Sequence, residues 1–315
     1  MKNNFSQAQY QKIATRKELI NQVQKEFNQP FKTDPEYISL TPGRINIIGE
    51  HTDYNDGLAM PTAIDRWICA GACRDQNKSS TIYSLSYNES VIIIPQTMEK
   101  FQEIWKQLTA TTINQLKTEF NINEGVKMVL SSNIPIGCGL SSSTAFVIAI
   151  TQTFCRLFSI PIKGRKLAHL CQKIEIDALG ITGGLLDQYS IILSKKNHFM
   201  AIDFQDDSIQ YFPVLLNGFS WIVINSQIQR ELSKSAYIER VIECKEGLKI
   251  LKKKFDISSF RDIDQSMLEV LKNKSNILYK RLCHVIGEND RVQNMIDQLQ
   301  ESTVEMVGTI LKESH

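Results

Sequence analysis

The sequence predicts a protein that mixes α-helices and β-strands and folds into two domains. Its 315 residues are enough for two domains with sizeable cores. Short apolar stretches typical of strands alternate with longer ones in which apolar residues recur at helical spacing. Near residue 200 this pattern changes to strands followed by long helices. We therefore expect an N-terminal domain over 1–200 and a C-terminal domain over 201–315.

Composition and charge exclude several classes of protein. The chain is 42% hydrophobic and 22% charged, as globular proteins usually are, and its net charge of +2 gives no reason to expect binding to nucleic acid or a membrane surface. Its seven cysteines are dispersed without paired zinc-ligand spacing, which suits reduced thiols. Residues 1–11 lack the apolar core of a signal peptide, and no apolar run is long enough to cross a membrane. We expect a soluble, cytoplasmic protein.

Most of the predicted strands lie within the first 200 residues. A helix is expected over 12–27, followed by a strand over 37–40, a turn at Thr41–Gly43 and a strand over 44–48. Further strands are expected over 64–73, 79–85, 91–94 and 127–130, and helices over 98–120, 145–158 and 163–179. The remaining chain predicts strands over 198–204, 209–214 and 221–224, and helices over 233–254 and from 276 to the end.

The segment from 131 to 145 organises the sequence, because a loop of small residues joins a buried strand to a helix. Gly137 and Gly139 allow the backbone to bend and to approach a ligand closely. The N-terminus of the following helix favours an anion such as phosphate, and Ser141–Ser143 add hydroxyls that can bind phosphate or magnesium. A simple capped turn is the structural alternative. The loop is not a Walker loop, since no lysine follows the second glycine.

A second polar segment, Gly49–Gly57, follows the strand over 44–48. Glu50, His51 and Asp53 lie close together there, where paired donors and acceptors could bind sugar hydroxyls. A solvated loop would have the same composition. His51 has no second histidine at metal-ligand spacing, so a metal site is poorly supported.

Three further residues have both a structural and a functional interpretation. Asp187 follows a second glycine-rich loop in an apolar setting, as either a buried acceptor or a catalytic group. Glu175 is near the end of an apolar helical stripe, where a carboxylate is commonly half exposed and inert. Trp105 is typical of a core or a groove lining, with stacking on a base as the alternative.

Three separated stretches together resemble one family, the GHMP small-molecule kinases, and within it the galactokinases. They are Gly43–Tyr54, Pro135–Ser143 and Glu175–Tyr189. The resemblance implies an α+β, two-domain GHMP kinase fold with the active site between the domains. It also implies ATP-dependent phosphorylation of galactose at the anomeric hydroxyl, with ATP and Mg²⁺ as cofactors.

The resemblance also implies individual roles. Asp187 would accept the proton of the sugar hydroxyl, and Arg44 would stabilise its carboxylate and the transferring phosphate. Mg²⁺ would be bound by Ser142 and Glu175. The sugar would be held by Arg44, Glu50, His51, Asp53, Gly184, Asp187 and Tyr237. ATP would be held by Gly137, Gly139, Leu140, Ser141, Ser142, Ser143 and Trp105.

The sequence departs from the family in two respects. Cys138 and Thr144 replace a usual glycine and alanine. The family's third, glycine-rich motif does not occur before His315, so we expect an incomplete C-terminal domain, impaired activity and a final helix whose apolar face lacks a partner. A catalytically weak regulator that binds galactose and ATP, and a kinase for N-acetylgalactosamine, are the alternatives.

Overall fold

The structure is a computed structural model that describes residues 13–95, 100–180, 183–214, 221–225, 236–301 and 304–314. Its strands are β1 Tyr37–Ile48, β2 Leu58–Asp75, β3 Ser80–Ser84, β4 Glu89–Ile93, β5 Gly125–Ser132, β6 His198–Asp203 and β7 Ser208–Pro213. Its helices are α1 Arg16–Phe31, α2 Ile104–Glu119, α3 Ser142–Leu157, α4 Arg165–Leu179, α5 Leu186–Leu193, α6 Ala236–Leu251, α7 Gln265–Lys272, α8 Asn276–Glu301 and α9 Val304–Ser314.

The strands form one mixed sheet around the long strand β2. One edge of β2 pairs antiparallel with β1. Its other edge pairs with β5 and β6, which gives the strand order β4-β3-β5-β2-β6-β7 on that side. The β3–β5 pair is parallel, whereas the other pairs are antiparallel. The expected domain boundary at residue 200 lies inside β6, and it stays a prediction.

Helices cover both faces of the sheet, as the alternation of side chains along β2 requires. Ile68 and Ala70 face a core formed with α2, α3 and α4. Cys69 and Cys73 point the other way, into a smaller core with Leu19, Val23 and Phe27 of α1. Through this packing the N-terminal end of α3 is fixed beside the end of β5.

The C-terminal helices pack in two groups. Helices α6, α7 and α8 enclose a core of their own. Helices α8 and α9 also pack on the sheet near the start of β2, against Ile48, Met60 and Phe212. Long helix α8 thereby reaches the loop between β1 and β2. None of the helices in the described ranges is long and apolar enough to cross a membrane.

Several local expectations are wrong, each for a physical reason. Thr41–Gly43 is not a turn, because β1 continues through it and absorbs the irregularity as a register shift between Pro42 and Arg44. Residues 221–224 form no strand, and Ile222 and Ile224 are 79% and 86% exposed. Helix α7 was not expected from the sequence.

The apolar face of the final helix does find a partner, so that expectation is also wrong. Val307 and Ile310 of α9 are only 4% and 5% exposed. They pack against Val292 and Met295 of α8 and against β-strand residues of the same core. Residues 215–220, 226–235 and 302–303, which include the start of the expected helix over 233–254, lie outside the described residues.

Candidate active site

The glycine-rich loop between β5 and α3, residues 133–141, leaves open space in front of its backbone. Gly137 and Gly139 have φ angles of +74° and +72°, which favour glycine. A Cβ atom at either position would meet no atom of the described residues within 4 Å, apart from its neighbours in the chain. Ser141 precedes the first turn of α3, where backbone N–H groups lack intrahelical acceptors. The loop can therefore accommodate an anionic group close to its backbone.

Asp187 connects this loop with β1. It lies in the first turn of α5, and its Oδ1 accepts hydrogen bonds from Arg44 Nε, at 2.7 Å, and from Arg44 Nη2. Its Oδ2 accepts a hydrogen bond from Ser141 Oγ at 2.6 Å. The Asp187 side chain keeps 30% of its surface exposed, so a ligand can still reach it.

Arg44 is the second member of this junction. Its Nη1 donates to the Gly139 carbonyl at 3.0 Å, and its backbone N–H donates to the Leu140 carbonyl at 3.3 Å. Its side chain is 15% exposed. The guanidinium thus holds a carboxylate and the backbone of the glycine-rich loop at once, as a planar group with several donors can.

Glu175 of α4 stands on the other side of Thr144 from Asp187. Thr144 Oγ1 lies 2.9 Å and 3.1 Å from the two Glu175 oxygens and 3.5 Å from Asp187 Oδ2. Gln188 Nε2 donates to Glu175 at 3.1 Å. Desolvation, and then the charge of Asp187, raise the pKa of Glu175 to about 7 despite these hydrogen bonds. The residue is half-buried, as the structural alternative expected, but its carboxyl group is desolvated and hydrogen-bonded.

These groups fit a magnesium ion by their chemistry. Glu175 offers carboxylate oxygens and Ser142 a hydroxyl at the start of α3. Gln188 Oε1 is a buried oxygen that has no hydrogen-bond partner among the residues that the structure describes. The described residues contain no group of three or more His, Cys, Asp or Glu side chains able to hold a metal. Mg²⁺ commonly uses only one or two protein ligands and completes its shell with phosphate oxygens and water.

The loop over residues 49–57 is closely packed; it is here called the sugar loop because the sequence resemblance predicts that it binds the sugar. Thr52 and Asn55 are fully buried. Thr52 Oγ1 lies 2.8 Å from the Gly49 carbonyl and 2.7 Å from the Leu58 carbonyl, and Asn55 Nδ2 donates to the His51 carbonyl at 2.8 Å. The alternative of a merely solvated loop does not agree with this internal bonding.

Asp53 of the sugar loop touches the second glycine-rich loop. A Cβ atom at Gly184 would lie 2.0 Å from Asp53 Oδ2, so a side chain there would displace the Asp53 carboxylate. Desolvation, and then the charges of Asp187 and Glu50, raise the pKa of Asp53 to about 7, while Arg44 opposes the shift. Three carboxyl groups are therefore arranged around one guanidinium.

Glu50 belongs to the same charged group. The residue as a whole is exposed, but its carboxyl group is largely desolvated. This desolvation raises the pKa of Glu50, and the charge of the nearby Arg44 guanidinium partly opposes the shift.

Aromatic rings form a wall beside these acids. Tyr237 of α6 lies 5.8 Å from His51 and 5.3 Å from Tyr54, measured between ring centroids. The Tyr54 hydroxyl bonds His51 Nδ1 at 2.8 Å. Desolvation, and then the charge of Asp53, raise the pKa of Tyr237. A ring wall next to hydrogen-bonding acids is suited to a ligand with both apolar and hydroxyl faces.

Trp105 lies in the main core. It is 5% exposed and stacks on Tyr87 with ring centroids 5.2 Å apart and planes 8° from parallel. Its role toward ATP stays a prediction.

Sequence reasoning missed part of the site. Thr144 was noted only as a departure from the family, although it bonds Glu175. Glu288 and Asn289 of α8 were not singled out, yet both bond the backbone at the ends of the sugar loop. The available signal was a glutamate and an asparagine within an otherwise apolar helical stripe that includes Val285 and Val292.

Comparisons with known proteins agree with this geometry. A family model for the N-terminal domain of GHMP kinases matches residues 106–195, and one for the galactokinase galactose-binding signature matches residues 25–74. A galactokinase of Thermotoga maritima is 35% identical over 276 residues, covering 87% of this chain and 75% of the relative. One of Clostridium perfringens is 32% identical over 304 residues, covering 94% and 78%.

A solved structure shows the same fold. The crystal structure of Lactococcus lactis galactokinase complexed with galactose superposes with a TM-score of 0.85 at 27% identity, covering 94% of this chain and 78% of that one. The expected GHMP kinase fold, an α+β arrangement, is thereby confirmed. The chain belongs to the galactokinase family of GHMP kinases.

Proposed function

We propose that the protein transfers the γ-phosphoryl group of ATP to the anomeric hydroxyl of galactose, giving galactose 1-phosphate and ADP. One observation carries this proposal: Arg44, which lies in the segment matched by the galactose-binding signature, bonds both Asp187 and the Gly139 carbonyl of the open glycine-rich loop. A sugar held by residues 49–57, where Asp53 feels the charge of Asp187, and a phosphate held by the glycine-rich loop would meet at Asp187.

Asp187 serves as the proton acceptor in this proposal. The anomeric O–H gives its proton to the free face of the carboxylate while the hydroxyl oxygen forms a bond to the γ-phosphorus. The bond from that phosphorus to the β–γ bridging oxygen breaks, and ADP leaves with the electron pair. Arg44 pairs with the carboxylate through its bonds to Oδ1 and so fixes its position. Such a reaction depends mainly on positioning and charge neutralisation.

Galactose is held by the sugar loop and its neighbours. Glu50 and Asp53 accept hydrogen bonds from sugar hydroxyls, His51 and Tyr237 line the sugar, and Gly184 leaves room for Asp53. Hydroxyl donors stabilise the charged form of a carboxylate, so the sugar offsets the mutual repulsion of these acids.

The phosphates of ATP are held by the glycine-rich loop and the first turn of α3. Backbone N–H groups and the Ser142 hydroxyl supply donors, and the hydroxyls of Ser141 and Ser143 would turn from Asp187 and Glu175 toward the phosphates. Ser142 and Glu175 would hold Mg²⁺, which neutralises phosphate charge when bound. The cation would stabilise the charged form of Glu175, which the protein alone disfavours.

The test is sugar-dependent release of ADP in a coupled assay, with galactose, N-acetylgalactosamine and no sugar compared. We expect release with galactose and a phosphorus–carbon coupling at C1 of the product by NMR. Faster turnover of N-acetylgalactosamine, or galactose binding without ADP release, would contradict the proposal.

A further inference from the structure

Glu288 of α8 is a fully buried acid that bonds the backbone of the sugar loop. Its side chain is 0% exposed. Its Oε1 accepts hydrogen bonds from the Gly49 N–H at 2.9 Å, the Glu50 N–H at 3.3 Å and Ser314 Oγ at 2.6 Å. Its Oε2 pairs with Arg291 at 2.7 Å. All these partners are donors, so both oxygens of the carboxylate accept hydrogen bonds.

Neighbouring residues of α8 hold the same loop. Asn289 Oδ1 accepts a hydrogen bond from the Leu58 N–H at 2.8 Å, just beyond the far end of the loop. His284 Nε2 contacts the Glu50 carbonyl at 2.9 Å. One helix therefore fixes both ends of the sugar loop through backbone atoms. The loop's side chains stay available for a ligand.

The charge of Glu288 is informative, because a buried carboxylate destabilises a protein unless it is paired. Burial by itself would raise the pKa of Glu288. The hydrogen bonds from Ser314 and Gly49 and the pairing with Arg291 outweigh burial and lower it, so the group is ionised at neutral pH. Space filling alone would be served by an apolar side chain. An ionised acceptor instead orients two successive N–H groups at the start of the loop.

We propose that Glu288 is a positioning residue for galactose: it holds Gly49 and Glu50 so that Glu50, His51 and Asp53 face the sugar. Through Ser314, helix α9 supports this arrangement. The inference rests on the proposed function, since it assigns the sugar to this loop.

The first test is steady-state kinetics of Glu288→Gln. The amide keeps the volume, but it must turn a donor either toward Arg291 or toward the Gly49 N–H. We expect the KM for galactose to rise about tenfold, while the KM for ATP stays within about twofold. The matched control is Glu243→Gln, which breaks the 2.5 Å pair of Glu243 with Arg281 between α6 and α8 without touching the loop. It should lower stability and leave both KM values unchanged.

Hydrogen exchange gives a second measurement that does not need activity. In Glu288→Gln, amides of residues 49–58 should exchange faster, whereas those of α3 should not change. Ser314→Ala removes one donor and should give a smaller effect in the same direction, which keeps the test available if Glu288→Gln does not fold.

Unchanged loop exchange in both variants, or equal rises in the two KM values, would overturn the inference. Failure of the proposed function is recognised separately, because wild-type protein would then release no ADP with galactose. In that case faster loop exchange would still show that Glu288 holds the backbone of the sugar loop, but its role in positioning galactose would be overturned.

Discussion

The two glycine-containing loops of the site are built in opposite ways. In the loop between β5 and α3, Gly137 and Gly139 face open space, and only their positive φ angles call for glycine. In the sugar loop a Cβ atom at Gly49 would lie 2.5 Å from Ala59 Cα, and one at Gly57 would lie 2.6 Å from Asn289 Oδ1. The first loop is open, and the second is packed on its surroundings.

This difference matches what each loop is proposed to bind. Phosphate oxygens are recognised by backbone N–H groups, which need free space in front of them. Sugar hydroxyls are recognised by side chains, which must be held at fixed positions by a rigid backbone. Substitutions that add a methyl group should therefore act differently in the two regions.

Gly184→Ala should have the largest effect, because Gly184 lies outside the sugar loop but packs directly against its Asp53. Its Cβ would displace the Asp53 carboxylate, and galactose affinity should fall roughly 10- to 100-fold, as unpaired hydroxyls cost about 1–3 kcal/mol. The matched variant Gly139→Ala meets no atom but strains a left-handed residue. Gly139→Ala should raise the KM for ATP and leave the affinity for galactose unchanged. Calorimetric titration of galactose and the KM for ATP measure both effects.

The comparison would break down if Gly184→Ala and Gly139→Ala changed galactose affinity equally. Packing of Gly184 against Asp53 would then not determine how galactose binds.

A smaller effect should follow pH. Because the pKa of Asp53 is raised to about 7, the folded protein favours the protonated acid. Its contribution to stability is present below the ordinary value of 3.8 and is lost as pH rises through about 7. Galactose needs the ionised form, so its affinity should be about tenfold higher at pH 8 than at pH 6. The sugar-induced rise in melting temperature should increase accordingly.

Other titratable and charged groups surround Asp53. Glu50, Asp187 and Arg44 face it, and so does Tyr237. The control is Asp53→Asn, in which affinity should be lower and nearly independent of pH. An unchanged pH dependence in Asp53→Asn would assign the titration to another group.

The smallest effect is expected at Cys138, in the open loop. Its thiol makes only weak contacts, 3.6 Å to the Ile136 carbonyl and 3.2 Å to the Asn225 side-chain amide. Cys138→Ala should change the KM for ATP by less than about twofold. In the wild type, Mg-ATP should slow labelling of Cys138 by a thiol reagent, followed by mass spectrometry, whereas galactose alone should not. Labelling at the same rate with and without ATP would place the nucleotide elsewhere.

Local patterns explain which parts of this site could be predicted. The strand, loop and helix around Gly137 follow from apolar spacing and small residues, and the sequence motifs identify Arg44 and Asp187. The turn expected at Thr41–Gly43 was wrong, because proline and glycine also fit a bulge within a strand.

Long-range contacts explain what could not be predicted. Glu288 bonds the Gly49 N–H across 239 residues of sequence, and no local pattern indicates that partner. The partner of the α9 apolar face was likewise missed, because it is assembled from β1, β2, β6, β7 and α8.

The most direct measurement is the turnover of Asp187→Asn together with its galactose affinity. The amide keeps the shape of the side chain and removes the proton acceptor. We predict that kcat falls about 100-fold or more, the usual contribution of a general base, while galactose affinity changes by less than about threefold and the protein stays folded. A kcat near that of the wild type would contradict the assignment of Asp187 as the base at the junction of the two loops.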